Sequence, residues 1–232
     1  MDDLYFDLGN TSLKVYSDGG KLAAVFSSLR SSWLSETSAF ICSQDVKRVV
    51  IASVATEEKL DLVLNLLKGI SVTIASYDKG QWRVINGYAN PERLGIDRLL
   101  AIEAAYFEIQ DRCLVIDCGS AITLDAVDAS GCHIGGYIVP GYRLQMESLL
   151  RDTSLSFDSI EPTLEMGLDT SECIRNGALR MIFSFCVSVI DEIKPARVFL
   201  TGGDLKGALK TLEGLGVRDD FLVYKGLKRV YG

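Results

Sequence analysis

Histidine is nearly absent from this 232-residue chain; the only one is His133. The six cysteines (Cys42, Cys113, Cys118, Cys132, Cys173 and Cys186) form no C-x-x-C pair. One imidazole and no paired-thiol spacing argue against a zinc site. Scattered cysteines, four of them in apolar runs, read as buried free thiols of a reducing compartment. Basic residues are in the minority: 24 Lys plus Arg against 31 Asp plus Glu leave a net charge of −7, and the pI is about 4.8. A nucleic acid partner is not expected, because phosphate neutralisation needs a basic surface. A local pocket for a small anion stays compatible with that charge. The longest nearly apolar stretch, Met181 to Ile190, is broken by Ser184 and Ser188. It falls short of the ~20 residues of a spanning helix, so no membrane association is expected. The opening MDDLYFDLGN lacks a basic start before an apolar run and does not read as a secretory leader, which points to the cytoplasm.

With 48% hydrophobic and 24% charged residues the composition is that of a globular protein. The length allows one large domain or two small ones. Apolar alternation marks short strands at Leu4 to Leu8, Leu13 to Tyr16 and Lys21 to Phe26. A helix over Ser31 to Cys42, a strand at Arg48 to Ser53, a helix over Thr56 to Leu67 and a strand at Ser71 to Ala75 follow. A polar, aromatic loop from Tyr77 to Pro91 leads into a helix from Gly95 to Ile109. The opening pattern then repeats: strands at Leu114 to Ile116, Ile122 to Val127 and His133 to Val139, and a helix from Gly141 to Leu150. A long helix over Asp169 to Ile193, a strand at Arg197 to Leu200 and a short helix complete the pattern.

Asp7-Leu8-Gly9-Asn10-Thr11 and Asp117-Cys118-Gly119-Ser120-Ala121 are the same device, an apolar strand, Asp-x-Gly and a small polar turn, 117 − 7 = 110 residues apart. An internal duplication into two similar α/β domains is the natural reading. A tight glycine turn lets backbone N–H groups approach a phosphate. Thr11 and Ser12 can add hydroxyls and Lys14 a charge. Asp7 and Asp117, at strand ends, can hold a cation or its water shell. Thr201-Gly202-Gly203-Asp204 after a late strand offers a flat backbone for adenine or ribose. Neither G-x-x-x-x-G-K-[ST] nor G-x-G-x-x-G is present. A lone Asp-x-Gly is as readily a plain hairpin turn; the repetition at equivalent places favours phosphate binding.

Six segments in order carry a family resemblance. They are Asp7 to Thr11, Tyr88-x-x-Pro91-x-x-Leu94-Gly95-Ile96-Asp97-Arg98, and Asp117 to Asp125. Gly135-Gly136-Tyr137-Ile138-Val139-Pro140-Gly141, Thr170 with Gly177, and Thr201 to Asp204 complete the set. The chain resembles the type III pantothenate kinases of the acetate and sugar kinase, Hsp70 and actin superfamily. The resemblance implies two ribonuclease H-like (actin-like ATPase) domains, 1–110 and 111–232, each a mixed sheet flanked by helices, with a cleft between them. It implies ATP-dependent phosphorylation of pantothenate to 4′-phosphopantothenate in coenzyme A biosynthesis, with Asp97 as general base. Tyr88, Gly95, Ile96, Asp97, Arg98 and Thr170 then line the pantothenate pocket. Asp7, Leu8, Gly9, Asn10, Thr11, Ser12, Leu13 and Lys14, with Ser120, Gly202 and Gly203, bind ATP. By the same resemblance Asp7 serves Mg2+, directly or through water, and Asp117 a monovalent cation, K+ or NH4+. A homodimer is implied as well, with the helix Asp169 to Ile193 as a candidate interface.

Competing readings are another small-molecule kinase of the superfamily, such as an amino-sugar kinase, a non-catalytic regulatory relative, and an actin-like filament former. Gly95 to Arg98 after Tyr88 speaks against the first, and intact Asp7, Asp97 and Asp117 against the second. The short chain leaves little room for polymerisation surfaces. Asp97 and Arg98 also admit a bland role, a helix cap and a solvated cation. Asp125 is open between ordering its hairpin and supporting a metal. His133 is expected to be a partly exposed strand residue, and Trp33 and Trp82 packing aromatics. Met181, Ile182, Phe185 and Val189, at helical spacing, read as core or dimer interface.

Overall fold

The computed structural model describes residues 2–150 and 161–232. In chain order the elements are β1 (Asp2–Leu8), β2 (Ser12–Ser17), β3 (Leu22–Ser27), α1 (Trp33–Cys42), β4 (Val46–Ser53), α2 (Glu57–Leu66), β5 (Ser71–Ile74) and α3 (Ile96–Ile109). They continue with β6 (Cys113–Cys118), β7 (Ala121–Val127), β8 (His133–Pro140), α4 (Tyr142–Leu150), α5 (Thr170–Ile193), β9 (Arg197–Thr201), β10 (Val217–Arg218) and α6 (Leu222–Tyr231). Two compact units result: Met1–Phe107 with Phe221–Gly232, and Glu108–Asp220.

In the first unit the strand order is β3-β2-β1-β4-β5. The β1–β2–β3 meander is antiparallel, and β4 and β5 run parallel to β1. Alternation along β1 explains the layering. Leu4, Phe6 and Leu8 point into a cluster with Val49, Ile51, Trp33 of α1 and Val63 of α2. Tyr5 points the other way and meets the Tyr224 ring of α6 edge-on at 5.3 Å. Covered on both faces, β4 is a continuous apolar run, with Val49, Val50 and Ile51 all fully buried. Thr56 caps α2 by accepting from the Lys59 N–H, and Glu57 and Glu58 occupy its first turn, where the helix dipole favours them.

The second unit repeats this plan with β10-β9-β6-β7-β8. Here β6, β7 and β8 form the antiparallel meander, and β9 and β10 run parallel to β6. Strand for strand the topologies coincide, as the repeated hairpins led us to expect. Its core joins Leu114, Ile116 and Leu124 of the sheet to Leu179, Ile182, Cys186 and Val189 of α5. Asp169 caps α5 by accepting from the Glu172 N–H at 2.7 Å, and the Glu172 carboxylate accepts from the Leu168 N–H at 2.8 Å. Of the stripe read from the sequence, Ile182 and Val189 are core, Phe185 packs half-buried against it, and Met181 is 59% exposed. At 24 residues, with a mean hydropathy of 1.4 in its most apolar window, α5 matches a spanning helix in length and composition, which the stretch Met181 to Ile190 alone did not show. Its buried face is the core of the second unit.

The structure departs from the sequence reading in three places. The division at residue 110 left the last residues in the second half, but α6 packs on β1 and β4 of the first unit. Neither β10 nor α6 was read from the sequence. Gly226 in the middle of α6 lowers helix propensity, yet a Cβ there would lie 2.2 Å from the Leu100 carbonyl oxygen of α3. The helix tolerates the glycine because the two backbones touch. Third, His133 is not partly exposed; it is 2% exposed, and its Nε2 lies 3.0 Å from Oδ1 of the equally buried Asp125. A polar partner on the neighbouring strand offsets the cost of burying the ring.

Candidate active site

In the first unit the sequence-derived residues gather where β1 and β4 end. Asp7 is the penultimate residue of β1, 9% exposed, and opposes Lys14 across the antiparallel pair. The Lys14 Nζ sits 3.5 Å from the Asp7 carboxylate. Leu8 and Leu13 close the ladder. Gly9 N–H donates to the Ser12 carbonyl at 2.9 Å, shaping the turn that presents Asn10, Thr11 and Ser12. The outer side of this turn is pinned from behind. Ser28 donates through Oγ to the Asn10 carbonyl at 3.0 Å and through N–H to the Thr11 carbonyl at 3.0 Å. Lys59 of α2 donates to the same Asn10 carbonyl and to Ser28 Oγ. Sequence reasoning missed Lys59. Its signal is a lysine in a helix's first turn, where the dipole disfavours a cation.

The second group of this unit stands at the start of α3. Val54, just past β4, donates its N–H to the Leu8 carbonyl at 3.1 Å, which ties the ends of β1 and β4 together. Gly95 lies against Val54: a Cβ on it would fall 3.7 Å from Val54 Cγ1 and 2.7 Å from Asp97 Oδ1. Any side chain at 95 would displace that carboxylate. Asp97 is half-buried in the first turn of α3, and its Oδ1 accepts from the Arg98 N–H at 2.7 Å. Arg98 donates to the Tyr88 hydroxyl at 3.0 Å, with its guanidinium 5.7 Å from the Tyr88 ring centre. Tyr88, Gly95, Asp97 and Arg98 are thus brought together. A cavity of about 460 Å3 opens beside them, with Ser53, Ser76, Asp78, Arg93, Gly95 and Ile96 among its walls.

Two residues the sequence did not single out shape this segment. Asn86, 8% exposed, accepts from the Tyr88 N–H at 3.0 Å and donates to the Pro91 carbonyl at 2.9 Å. Glu103 of α3 is fully buried and accepts from the backbone N–H groups of Arg83 and Val84. Their partners are loop backbone groups, which no side-chain pattern announces.

In the second unit Asp117 is the penultimate residue of β6 and faces Thr123 on β7 and Thr201 on β9. The place Lys14 holds opposite Asp7 is taken by a neutral threonine opposite Asp117. Gly119 N–H donates to the Ala121 carbonyl at 3.1 Å. Gly141 N–H donates to the Ser120 carbonyl at 3.0 Å, and a Cβ on Gly141 would strike the Gly119 carbonyl at 2.3 Å. The strand-to-helix junction thus seats directly on the hairpin. Gly202, at φ +106°, does the same from β9, where a Cβ would fall 2.2 Å from the Cys118 carbonyl. Gly203 opens onto free space within 4 Å of its Cβ position. The neighbouring Asp204 carboxyl is raised by burial, which the Arg143 charge opposes. Thr170 stands exposed as the first residue of α5. Asp125, left open above, is the His133 partner in this unit.

Among the described residues no group of three or more His, Cys, Asp or Glu is arranged to hold a metal. One carboxylate per hairpin instead suits a Mg2+-type ion whose remaining ligands are phosphate oxygens and water. The donor set fits an ion that arrives with a nucleotide.

Known proteins resemble this chain in sequence and in fold. The family model described as type III pantothenate kinase matches residues 3–192. A curated relative named type III pantothenate kinase from Hahella chejuensis is 34% identical over 99% of this chain and 97% of its own length. Among solved structures, a conserved putative Baf family transcriptional activator from Campylobacter jejuni superposes with a TM-score of 0.65 at 22% identity, covering 97% of this chain and 96% of that one. MreB5 of Spiroplasma citri bound to ADP superposes at 0.54 with 11% identity, covering 98% and 95%. These likenesses establish the fold, two similar actin-like ATPase domains. The match in sequence, over most of the length and through every segment of the first unit's site, places the chain in the type III pantothenate kinase family.

Proposed function

We propose that the protein transfers the γ-phosphoryl group of ATP to the primary hydroxyl of pantothenate, giving 4′-phosphopantothenate and ADP at the first step of coenzyme A biosynthesis in the cytoplasm. The observation that carries this reading is Gly95 beside Asp97: the missing side chain leaves room for the carboxylate, next to a cavity that Gly95 and Ile96 help to wall. Asp97 accepts the hydroxyl proton as the oxygen attacks the γ-phosphorus and the bond to the β–γ bridging oxygen breaks. Arg98, held by Tyr88, offers its guanidinium fork to the pantothenate carboxylate. Gly9 to Lys14 and Ser120 provide backbone N–H groups, hydroxyls and one ammonium for the phosphates. Gly202 and Gly203 receive the adenosine. Asp7 is assigned to Mg2+, which when bound neutralises triphosphate charge. Asp117 is assigned to K+ or NH4+. A homodimer is supported by apolar residues left exposed on the second unit, Ile134, Tyr137 and Ile138 of β8 and Met181 of α5. Thr170 is assigned to the pantothenate pocket.

A coupled assay for ADP tests the reading. ADP release that requires pantothenate and rises with K+ or NH4+ supports it. ADP release indifferent to pantothenate, or elicited by an amino sugar instead, contradicts it.

A further inference from the structure

Between β5 and α3 the chain runs from residue 75 to residue 95 with no strand or α-helix to stiffen it; two 3-10 turns, Tyr77–Lys79 and Pro91–Arg93, are its regular parts. Yet this stretch supplies walls of the cavity and carries Tyr88. It is held from outside, mainly by α6. The Tyr231 hydroxyl donates to the Ser76 carbonyl at 2.6 Å and accepts from the Ser76 N–H at 2.9 Å. Trp82 rests edge-on against the Tyr231 ring and donates through Nε1 to the Tyr77 carbonyl at 2.7 Å. Arg229 donates to the Gln81 carbonyl at 3.1 Å and pairs with the buried Glu103 carboxylate. That carboxylate in turn collects the Arg83 and Val84 N–H groups at 3.0 and 2.8 Å. Two residues on, Asn86 takes over and fixes Tyr88 and Pro91.

A fully buried carboxylate is costly unless paired and hydrogen-bonded. Glu103 has both kinds of partner, and all of them belong to α6 or to this loop. Three hydrogen-bonded clusters, around Tyr231, Glu103 and Asn86, follow one another along the loop backbone and end at Tyr88, whose hydroxyl accepts from Arg98. None of Glu103, Arg229 and Tyr231 belongs to the Asp97 group or to the phosphate hairpins.

We propose that Arg229 and Tyr231 of α6, acting through Glu103 and Ser76, are positioning residues that set the affinity for the phosphoryl acceptor and leave nucleotide affinity alone. The proposal rests on the reading of Tyr88 to Arg98 as the acceptor segment. Preorganised side chains need such support to hold their geometry.

The test compares the wild-type chain with Tyr231→Phe, Arg229→Met and Glu103→Gln, and with Val223→Ala, a buried α6 control away from the loop. Losing one such hydrogen bond is expected to raise the KM for pantothenate about threefold to tenfold, with the KM for ATP and kcat within about twofold. Glu103→Gln combined with Arg229→Met raises it no further than the larger single effect, since the two act as one. Val223→Ala lowers Tm and leaves the pantothenate KM unchanged. Variants that lose Tm but keep the wild-type pantothenate KM overturn the proposal, as does a parallel rise in both KM values. Tyr231→Phe keeps the ring and carries the test if the other variants fold poorly. Amide exchange at residues 81–88, measured without substrate, gives a readout independent of the reaction. It accelerates in Glu103→Gln and not in Val223→Ala; equal exchange in wild type and Glu103→Gln overturns the positioning role. A wild-type chain without pantothenate-dependent turnover would instead refute the acceptor assignment, a failure visible before any variant is made.

Discussion

Gly95 shows how little chemistry a decisive residue needs. Its φ is unremarkable, and its value lies in the space that Asp97 occupies. Adding one methyl places a carbon 2.7 Å from the Asp97 carboxylate, whose side chain must then turn away. Gly95→Ala is therefore expected to fold with an unchanged Tm while kcat falls about tenfold to a hundredfold, the usual consequence of a reacting group misplaced by ~1 Å. Circular dichroism with steady-state kinetics checks both halves. The motif was legible in the sequence, but its reason was not. Spacing showed Gly, Asp and Arg within four residues; only the folded backbone shows that the glycine makes room. His133 teaches the converse. As an isolated strand residue it read as half-exposed, and the carboxylate eight residues earlier that allows its burial became visible once β7 and β8 were in register.

The elements divide by what fixes them. Strands such as β1, β4 and β6 are written in their own residues, because apolar alternation or an apolar run is local information. The helix α6 is not, since Gly226 argues against it and tertiary contact with α3 argues for it. Alanine ordinarily stabilises a helix interior by ~1 kcal/mol over glycine. At 226 the sign reverses, because the new carbon would sit 2.2 Å from the Leu100 carbonyl. We expect Gly226→Ala to lose about 1–3 kcal/mol by denaturant titration; a stabilised variant would show that the α3–α6 contact is wrong.

A second link from α6 is electrostatic. Lys228 hydrogen-bonds Asp18 and holds its carboxyl below the usual range. A depressed folded pKa adds stability above the unfolded value, and this is lost as pH falls through the folded one. The stability difference between wild type and Asp18→Asn should thus be present at pH 7 and vanish as pH falls below the ordinary carboxylate range. The pair is largely exposed, so the difference is small and weakens with salt.

At the scale of the molecule, one plan is used twice: five strands in one order, with an Asp-x-Gly hairpin after the first. The duplication was legible from two motifs 110 residues apart, whereas the return of α6 to the first unit had no local signature. The net charge of −7 is no obstacle to anionic ligands, because the groups proposed to meet them are backbone amides, hydroxyls and a few cations such as Lys14 and Arg98. Thiol chemistry reports on the packing of both units. Burial pushes the Cys113 thiol up to about 12 and Cys186 to about 11, and raises Cys118 as well. Cys42 and Cys173 are exposed. A disulfide reagent at pH 8 is expected to modify those two rapidly in the native protein, and Cys113, Cys118 and Cys186 only on unfolding. Fast native modification of a third, core thiol would contradict the described cores.

The proposed role of Asp97 as the base in phosphoryl transfer to pantothenate is tested most directly by pantothenate-dependent ADP formation by wild type and Asp97→Asn at saturating ATP. The isosteric change is expected to lower kcat about a hundredfold to ten-thousandfold with Tm and ATP binding retained. An Asp97→Asn enzyme that turns over pantothenate at close to the wild-type rate would contradict it.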